Sequence, residues 1–205
     1  MKITALKEKR KGLTQVFIDG EYAMTLDSMV LLENHVKENL EISDEELYKI
    51  VKKSKERRAN EKALTLLEYR SHSKKELTDK IARTMGREEA MNAAEKMADI
   101  GLVNDRDYAE RYAKELFERK KFGKNRVKQE LKLKGIDGEI IEEVLALYED
   151  FDTKEQIESI LNSKYPNYLT DEKVKRRAVA ALQRRGFTFS DINSVLKLDF
   201  ESSEE

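Results

Sequence analysis

Cysteine and tryptophan are absent from the 205 residues, proline occurs once and glycine eight times. Without cysteine there is no disulfide framework and no thiolate to serve as nucleophile or metal ligand. With so little proline and glycine, little interrupts a helix, so long helices with short connections are expected. Long apolar runs are also missing. The opening Met1-Lys2-Ile3-Thr4-Ala5-Leu6-Lys7 lacks the apolar core of a signal peptide, and no later run approaches the roughly 20 residues of a membrane helix, so a soluble cytoplasmic protein is expected. Nor is one sign of charge in excess: 40 Lys and Arg stand against 41 Asp and Glu, a formal net charge of -1. Attraction of the whole molecule to a polyanion is thereby excluded, and any such contact must come from a local patch.

The common catalytic patterns are missing as well. His35 and His72 lie in different segments with no His-x-x-x-His spacing, which argues against a zinc site and for partly exposed helix histidines. The glycines are scattered rather than grouped as a phosphate loop. Acidic groups at Asp105 and Asp107, and at Glu149, Asp150 and Asp152, fall at helix starts and repeat junctions, where capping accounts for them. Serines 71 and 73 flank a histidine, but adjacency in sequence is not the geometry of a nucleophile and its base. No enzyme activity and no cofactor are expected.

What is present is a patterned, charge-dense chain. With 40% charged and 39% hydrophobic residues, several small cores are expected in place of one deep one. Residues 1–26 alternate as strands do, and Asp19-Gly20 between two β-prone runs is a hairpin signal, so a three-stranded meander opens the chain. Asp27-Ser28 caps a short helix through Met29, Val30, Leu31 and Leu32. The capping box Ser43–Glu46 opens another through Leu47, Ile50 and Val51, which runs into Lys52–Arg58, read as a solvated helix face. Together these make residues 1–59.

From residue 60 a three-helix phrase repeats. The first copy, 60–103, carries Ala63, Leu64 and Leu67, then a capped helix from Ser73 with Leu77 and Ile81, then Ala90, Ala94 and Met97. The second, 104–150, carries Tyr108, Ala109, Tyr112, Ala113, Leu116 and Phe117, then a basic helix from Gly123, then Ile140, Ile141, Val144, Leu145 and Tyr148. The third, 151–200, has a capping box at Thr153–Gln156, an Arg-rich helix and a last helix capped by Ser190. An acidic tail, 201–205, follows. The spacing Gly86 to Gly135 is 49 residues and Gly135 to Gly186 is 51, the near-constant period of a repeat array. Gly135 sits where a helix closes in the left-handed conformation, and Asp137 where the next helix needs its N-cap. Tyr69, Tyr108 and Tyr112 have helical spacing beside apolar partners and are expected in the core rather than as stacking residues.

Three phrases in this order, Ala63 through Leu77, Gly101 through Ala109 and Gly123 through Ile136, resemble the RecX family of recombinase regulators, over roughly residues 60–200. The N-terminal hairpin is similar to the lead-in of Gram-positive members. The resemblance implies an all-α fold, a curved tandem array of three three-helix repeats preceded here by the β-meander and helices. It also implies a non-catalytic regulator that binds the RecA–single-stranded DNA filament along its groove and restrains ATP hydrolysis and strand exchange. Members often carry arginine where this chain has His72 and an acidic residue where it has Asn104.

The surface that would make such contacts is the second helix of each repeat. Lys124, Lys128 and Lys132 form a row on one helix edge. In the next repeat Lys173, Arg177 and Arg184 fall within about 40° of one another at 100° per residue. The bland reading of either row is solubility, but its recurrence in the same helix of two repeats favours binding. The candidate residues for partner and DNA contact are Arg70, Lys121, Lys124, Arg126, Lys128, Lys132, Lys134, Lys173, Arg176, Arg177 and Arg184. The partners expected are the RecA filament and single-stranded DNA, with weak double-stranded DNA binding as the lesser expectation. A monomer is expected. The alternative is an autonomous helical DNA-binding protein whose second and third helices act as a helix-turn-helix, against which the balanced charge counts.

Overall fold

The structure is a computed structural model that describes residues 1–9, 12–149 and 151–197. Arg10, Lys11, Asp150 and the expected acidic tail 201–205 lie outside the described residues. The chain divides into two compact units, Met1–Asn104 and Asp105–Glu205.

The first unit opens with an antiparallel meander of β1 (Ile3–Lys9), β2 (Leu13–Ile18) and β3 (Glu21–Asp27) in the order β1-β2-β3. Asp19 and Gly20 both adopt positive φ, 50° and 91°, the pairing that matches a two-residue hairpin to strand twist. One face of the sheet contributes Ile3, Val16 and Leu26 to a core completed by Val30 and Leu31 of α1 (Ser28–Glu33), Ile42 and Ile50. Asp27, the N-cap of α1, accepts hydrogen bonds from the Met29 and Val30 amides at 2.9 and 3.1 Å. A three-stranded sheet is marginal alone, and these helices supply the cover it needs.

Helix α2 runs unbroken from Asp44 to Tyr69, 26 residues opened by the expected Ser43–Glu46 capping box. Its buried positions are Ile50, Ser54, Ala59 and Ala63. The step of five between Ser54 and Ala59 turns the buried face by about 140° at 100° per residue. The helix therefore serves two cores on different sides of its axis. Its first half covers the sheet, where buried Ser54 accepts a 2.8 Å hydrogen bond from the Asp27 amide. Its second half packs with α3 (Lys74–Ala82) and α4 (Arg87–Asp99) around Leu77, Ile81, Ala90, Ala94 and Met97. The division expected between residues 59 and 60 falls inside this helix, because a shift of hydrophobic phase reads in sequence like a break.

The second unit holds two three-helix repeats. In the first, α5 (Asp105–Lys114) passes into a π-helical turn, Glu115–Arg119, followed by α6 (Lys124–Leu133) and α7 (Gly138–Ala146) around Tyr108, Leu116, Phe117, Val127, Leu131 and Ile141. In the second, α8 (Thr153–Lys164), α9 (Glu172–Arg184) and α10 (Phe189–Leu196) enclose Ile157, Leu161, Leu182, Phe187 and Ile192.

Several local expectations change. Gly86 is the N-cap of α4 with φ of -65°, whereas Gly135 and Gly186 close α6 and α9 at φ of 76° and 87°. The first glycine thus matches Asp137 and Thr188, the N-caps of the other third helices, and not the helix-closing pair. The caps expected at Thr153 and Ser190 lie at Asp152 and Thr188. Tyr69 is 88% exposed at the end of α2, while Tyr108 is buried as expected and Tyr112 half-buried. Neither histidine lies in a helix: His35 sits exposed in a turn at φ of 53°, and His72, 2% exposed, lies in the α2–α3 connection. The His72 Nδ1 is 2.8 Å from the Arg70 carbonyl. Burial first, then the charges of Arg70 and Lys80, depresses its pKa, so neutral imidazole is the favoured buried form.

Candidate functional site

The second helices of the two repeats in the second unit meet end to turn. Helix α6 has a glycine, Gly123, at its N-cap and so lacks a side-chain cap. Its acceptors come from the closing turn of α9: the Gly123 amide donates to the Arg185 carbonyl at 2.8 Å and the Asn125 amide to the Gly186 carbonyl at 3.3 Å. The Arg185 guanidinium in turn donates to the Lys120 carbonyl at 2.8 Å. The approach is close enough to demand glycine on both sides. A Cβ on Gly123 would lie 2.6 Å from Gly186 backbone atoms, and one on Gly186 would lie 2.2 Å from the Arg126 amide nitrogen.

Two of the four cations on α6, Arg126 and Lys128, are engaged within the fold. Lys128, the middle of the expected row, donates to the Glu142 carboxylate of α7. Glu142 is held below the usual carboxylate range, first by that hydrogen bond; loss of hydration opposes it, and the charges of Lys128, Lys124 and Lys132 add to the lowering. All three lysines of the row therefore act on one carboxylate. Lys124 and Lys132 are exposed. Arg126 pairs with Glu130 at 2.5 Å and its guanidinium carbon lies 5.8 Å from the Phe122 ring centroid. The Lys134 and Lys120 ammonium groups lie 5.5 and 5.8 Å from the Tyr112 ring centroid. Lys121, at φ of 55°, lines an open cleft of about 300 Å³ with Glu118, Asp152 and Glu155, so carboxylates surround it.

On α9 the balance differs. Asp171 caps the helix, accepting from the Lys173 and Val174 amides at 2.8 and 3.2 Å, and Ala178 and Leu182 are buried. Arg176 pairs with Glu172 at 3.4 Å, an exposed i,i+4 contact. Lys173, Arg177 and Arg184 are exposed, and among the described residues no carboxylate lies within ion-pair distance of any of the three. Three unpaired cations on one stripe, clear of the core, can gather phosphates without first breaking an internal pair.

Arg70 lies in the other unit and stitches a corner. Its guanidinium holds Glu76 in a two-point pair, at 2.7 and 3.1 Å, and donates to the Ser71 carbonyl at 2.8 Å. Of the residues that sequence reasoning passed over, Glu142 matters most. It neutralises Lys128 from 14 positions away, across the Gly135 corner, and only the three-dimensional fold brings the two together. The Arg126–Glu130 and Glu172–Arg176 pairs were available from their i,i+4 spacing.

Comparison with known proteins places the chain among regulators. A family model described as the second three-helix domain of RecX matches residues 104–145, and one described as the third three-helix domain matches residues 152–196. The chain is 30% identical over 208 residues to the regulatory protein RecX of Bacillus pumilus (strain SAFR-032), covering 100% of this chain and 78% of that one. It is 30% identical over 195 residues to the regulatory protein RecX of Caldanaerobacter subterraneus subsp. tengcongensis, covering 94% and 96%. A crystal structure of a regulatory protein RecX shares the fold with a TM-score of 0.68 at 20% identity, over 96% of this chain and 98% of that one. The crystal structure of RecX from Lactobacillus salivarius matches with a TM-score of 0.60 at 25% identity, over 70% of this chain and 95% of that one.

Proposed function

The chain belongs to the RecX family of regulatory proteins, and from that premise we propose that it binds a RecA filament on single-stranded DNA and, without catalysing a reaction itself, lowers the filament's ATP turnover and strand exchange. The observation that carries this reading is the unpaired stripe Lys173, Arg177 and Arg184 on α9. Phosphates of the filament's DNA are the natural ligand for it, with Lys124 and Lys132 of α6 as secondary contacts. A protein of net charge -1 gains little from long-range attraction. Weak phosphate contacts therefore work together with contacts to RecA subunits, each raising the effective concentration for the next. The protein acts as a cytoplasmic monomer, its three-helix repeats serving as successive contact modules. Among the described residues no helix is long and apolar enough to cross a membrane.

The test mixes the protein with RecA, ATP and single-stranded DNA. Stoichiometric wild-type protein lowers ATP turnover, and Arg177→Glu with Arg184→Glu relieves that inhibition in a protein that remains folded. Unchanged turnover with excess wild-type protein contradicts the proposal. The tight corners between α6 and α7 and between α9 and α10 favour a second reading, an autonomous DNA-binding protein with helix-turn-helix-like units. Tight, salt-steep binding of duplex DNA without RecA would select it.

A further inference from the structure

The meander has a second face that none of the helices described above needs for its core. Directly opposed residues in adjacent strands share a face. Ala5 pairs with Phe17, Lys7 with Gln15 and Lys9 with Leu13. Across the other ladder Phe17 pairs with Tyr22, Gln15 with Thr25 and Leu13 with Asp27. The opposite register, Leu6–Val16–Met24 and Thr14–Leu26, is the one turned to the core of α1 and α2. Phe17 and Tyr22 therefore stand together on the outer face, ring centroids 5.9 Å apart and planes at 72°. Tyr22 is 55% exposed, and its hydroxyl is 3.0 Å from the Thr25 hydroxyl. The Lys7 ammonium lies 4.7 Å from the Phe17 centroid.

The charge on this face is one-sided. Lys7 and Lys9 are exposed, while the one carboxylate in the same register, Asp27, is 4% exposed, caps α1 and pairs with Arg57 at 3.3 Å. Glu8 and Glu21 belong to the other register, opposite Thr14 and Ile18. A cross-strand aromatic pair steadies a hairpin wherever it occurs, but that role needs neither an open ring nor a lysine on it. The exposed Glu38 carboxylate accepts from the Leu6 amide at 3.1 Å at the edge of β1, and an open aromatic step with cations beside it and, among the described residues, no exposed carboxylate in its own register fits a ligand with flat, apolar rings strung on a negative chain.

We infer that the outer face of the N-terminal sheet is a stacking platform for single-stranded nucleic acid, Tyr22 and Phe17 taking unpaired bases and Lys7 and Lys9 the flanking phosphates. A base laid on Tyr22 meets the Phe17 ring as a wall, since the two rings are nearly perpendicular. Duplex DNA offers no free base face and is excluded from this mode. The platform needs neither RecA nor the α9 cations, so it stands or falls apart from the regulatory reading.

The experiment uses the full chain and a fluorescein-labelled oligothymidine of about 15 nucleotides, read by anisotropy. Tyr22→Ala weakens binding by at least about fivefold, and Phe17→Leu, which keeps apolar volume, by a smaller factor in the same direction. An abasic oligomer of equal length binds the wild type and the Tyr22 variant alike. Lys7→Gln lowers the salt dependence, whereas Tyr22→Ala leaves it unchanged. As an independent readout, oligomers carrying 5-iodouracil photocrosslink to Tyr22 or Phe17, and the α9 double variant retains those crosslinks. Wild-type affinity in both ring variants, equal affinity for normal and abasic oligomers, crosslinks confined to residues after 104, or preference of the face for an acidic peptide over the oligonucleotide would each overturn the inference.

Discussion

Helices α6 and α9 hold the same place in consecutive repeats, each closed by a left-handed glycine, and each carries cations on one stripe. On α6 the central lysine is bound by Glu142 and the neighbouring arginine by Glu130. On α9 Lys173, Arg177 and Arg184 have no such partners among the described residues. Two rows that look alike in sequence thus differ in what they offer an incoming anion. An exposed pair contributes little to stability, so Glu142 is a weak lock, but it occupies the centre of its row. The availability of a charge, more than its presence, separates a binding surface from a solubilising one.

The comparison can be broken most severely at the junction where the two helices meet. Gly186→Ala places a methyl 2.2 Å from the Arg126 amide at φ of 87°, and overpacking together with left-handed strain is expected to destabilise the second unit by about 3 kcal/mol. Thermal unfolding of the variant against wild type checks this. A loss under about 1 kcal/mol would mean that the turn of α9 can shift away from α6 without consequence.

Glu142→Gln sharpens the comparison from the other side. It removes the acid that occupies Lys128 and should make α6 resemble α9. The expected result is a two- to threefold gain in affinity for single-stranded DNA, roughly, and a salt slope steeper by about 0.7 for one added phosphate contact. Titrations over a salt series measure both. The same change at Glu172, whose partner Arg176 lies outside the α9 stripe, should alter binding less.

Acid should mimic the Glu142 variant weakly. Because the folded-state pKa of Glu142 is depressed, its pair with Lys128 is fully present above the ordinary carboxylate pKa and is lost as pH falls through the lower folded value. Chemical-shift titration of the Glu142 carboxyl carbon should therefore give a midpoint below that of an ordinary glutamate. In the Lys128→Gln variant the midpoint should rise towards the ordinary value.

Much of this fold was legible because its signals are local. The Asp19-Gly20 hairpin, the Ser43 capping box and the apolar positions of α5 and α7 follow from a few neighbouring residues. What escaped depends on partners distant in sequence. The 140° turn of the buried face within α2 exists because one helix covers two cores. His72 is buried because the α2–α3 corner folds over it. The π-helical turn leaves the Phe117 carbonyl to accept a 2.7 Å bond from buried Gln156, 39 residues on. The cationic stripes were visible from helical spacing, but their inequality was not, since Lys128 and Glu142 become neighbours only when α7 folds back beside α6.

The most direct measurement is the affinity of three folded proteins for a RecA filament on single-stranded DNA: wild type, Arg177→Glu with Arg184→Glu, and Lys124→Glu with Lys128→Glu. If α9 supplies the phosphate contact, the first double variant loses about tenfold or more in affinity and the second about threefold or less. Equal losses, or a larger loss from the α6 variant, would contradict the account.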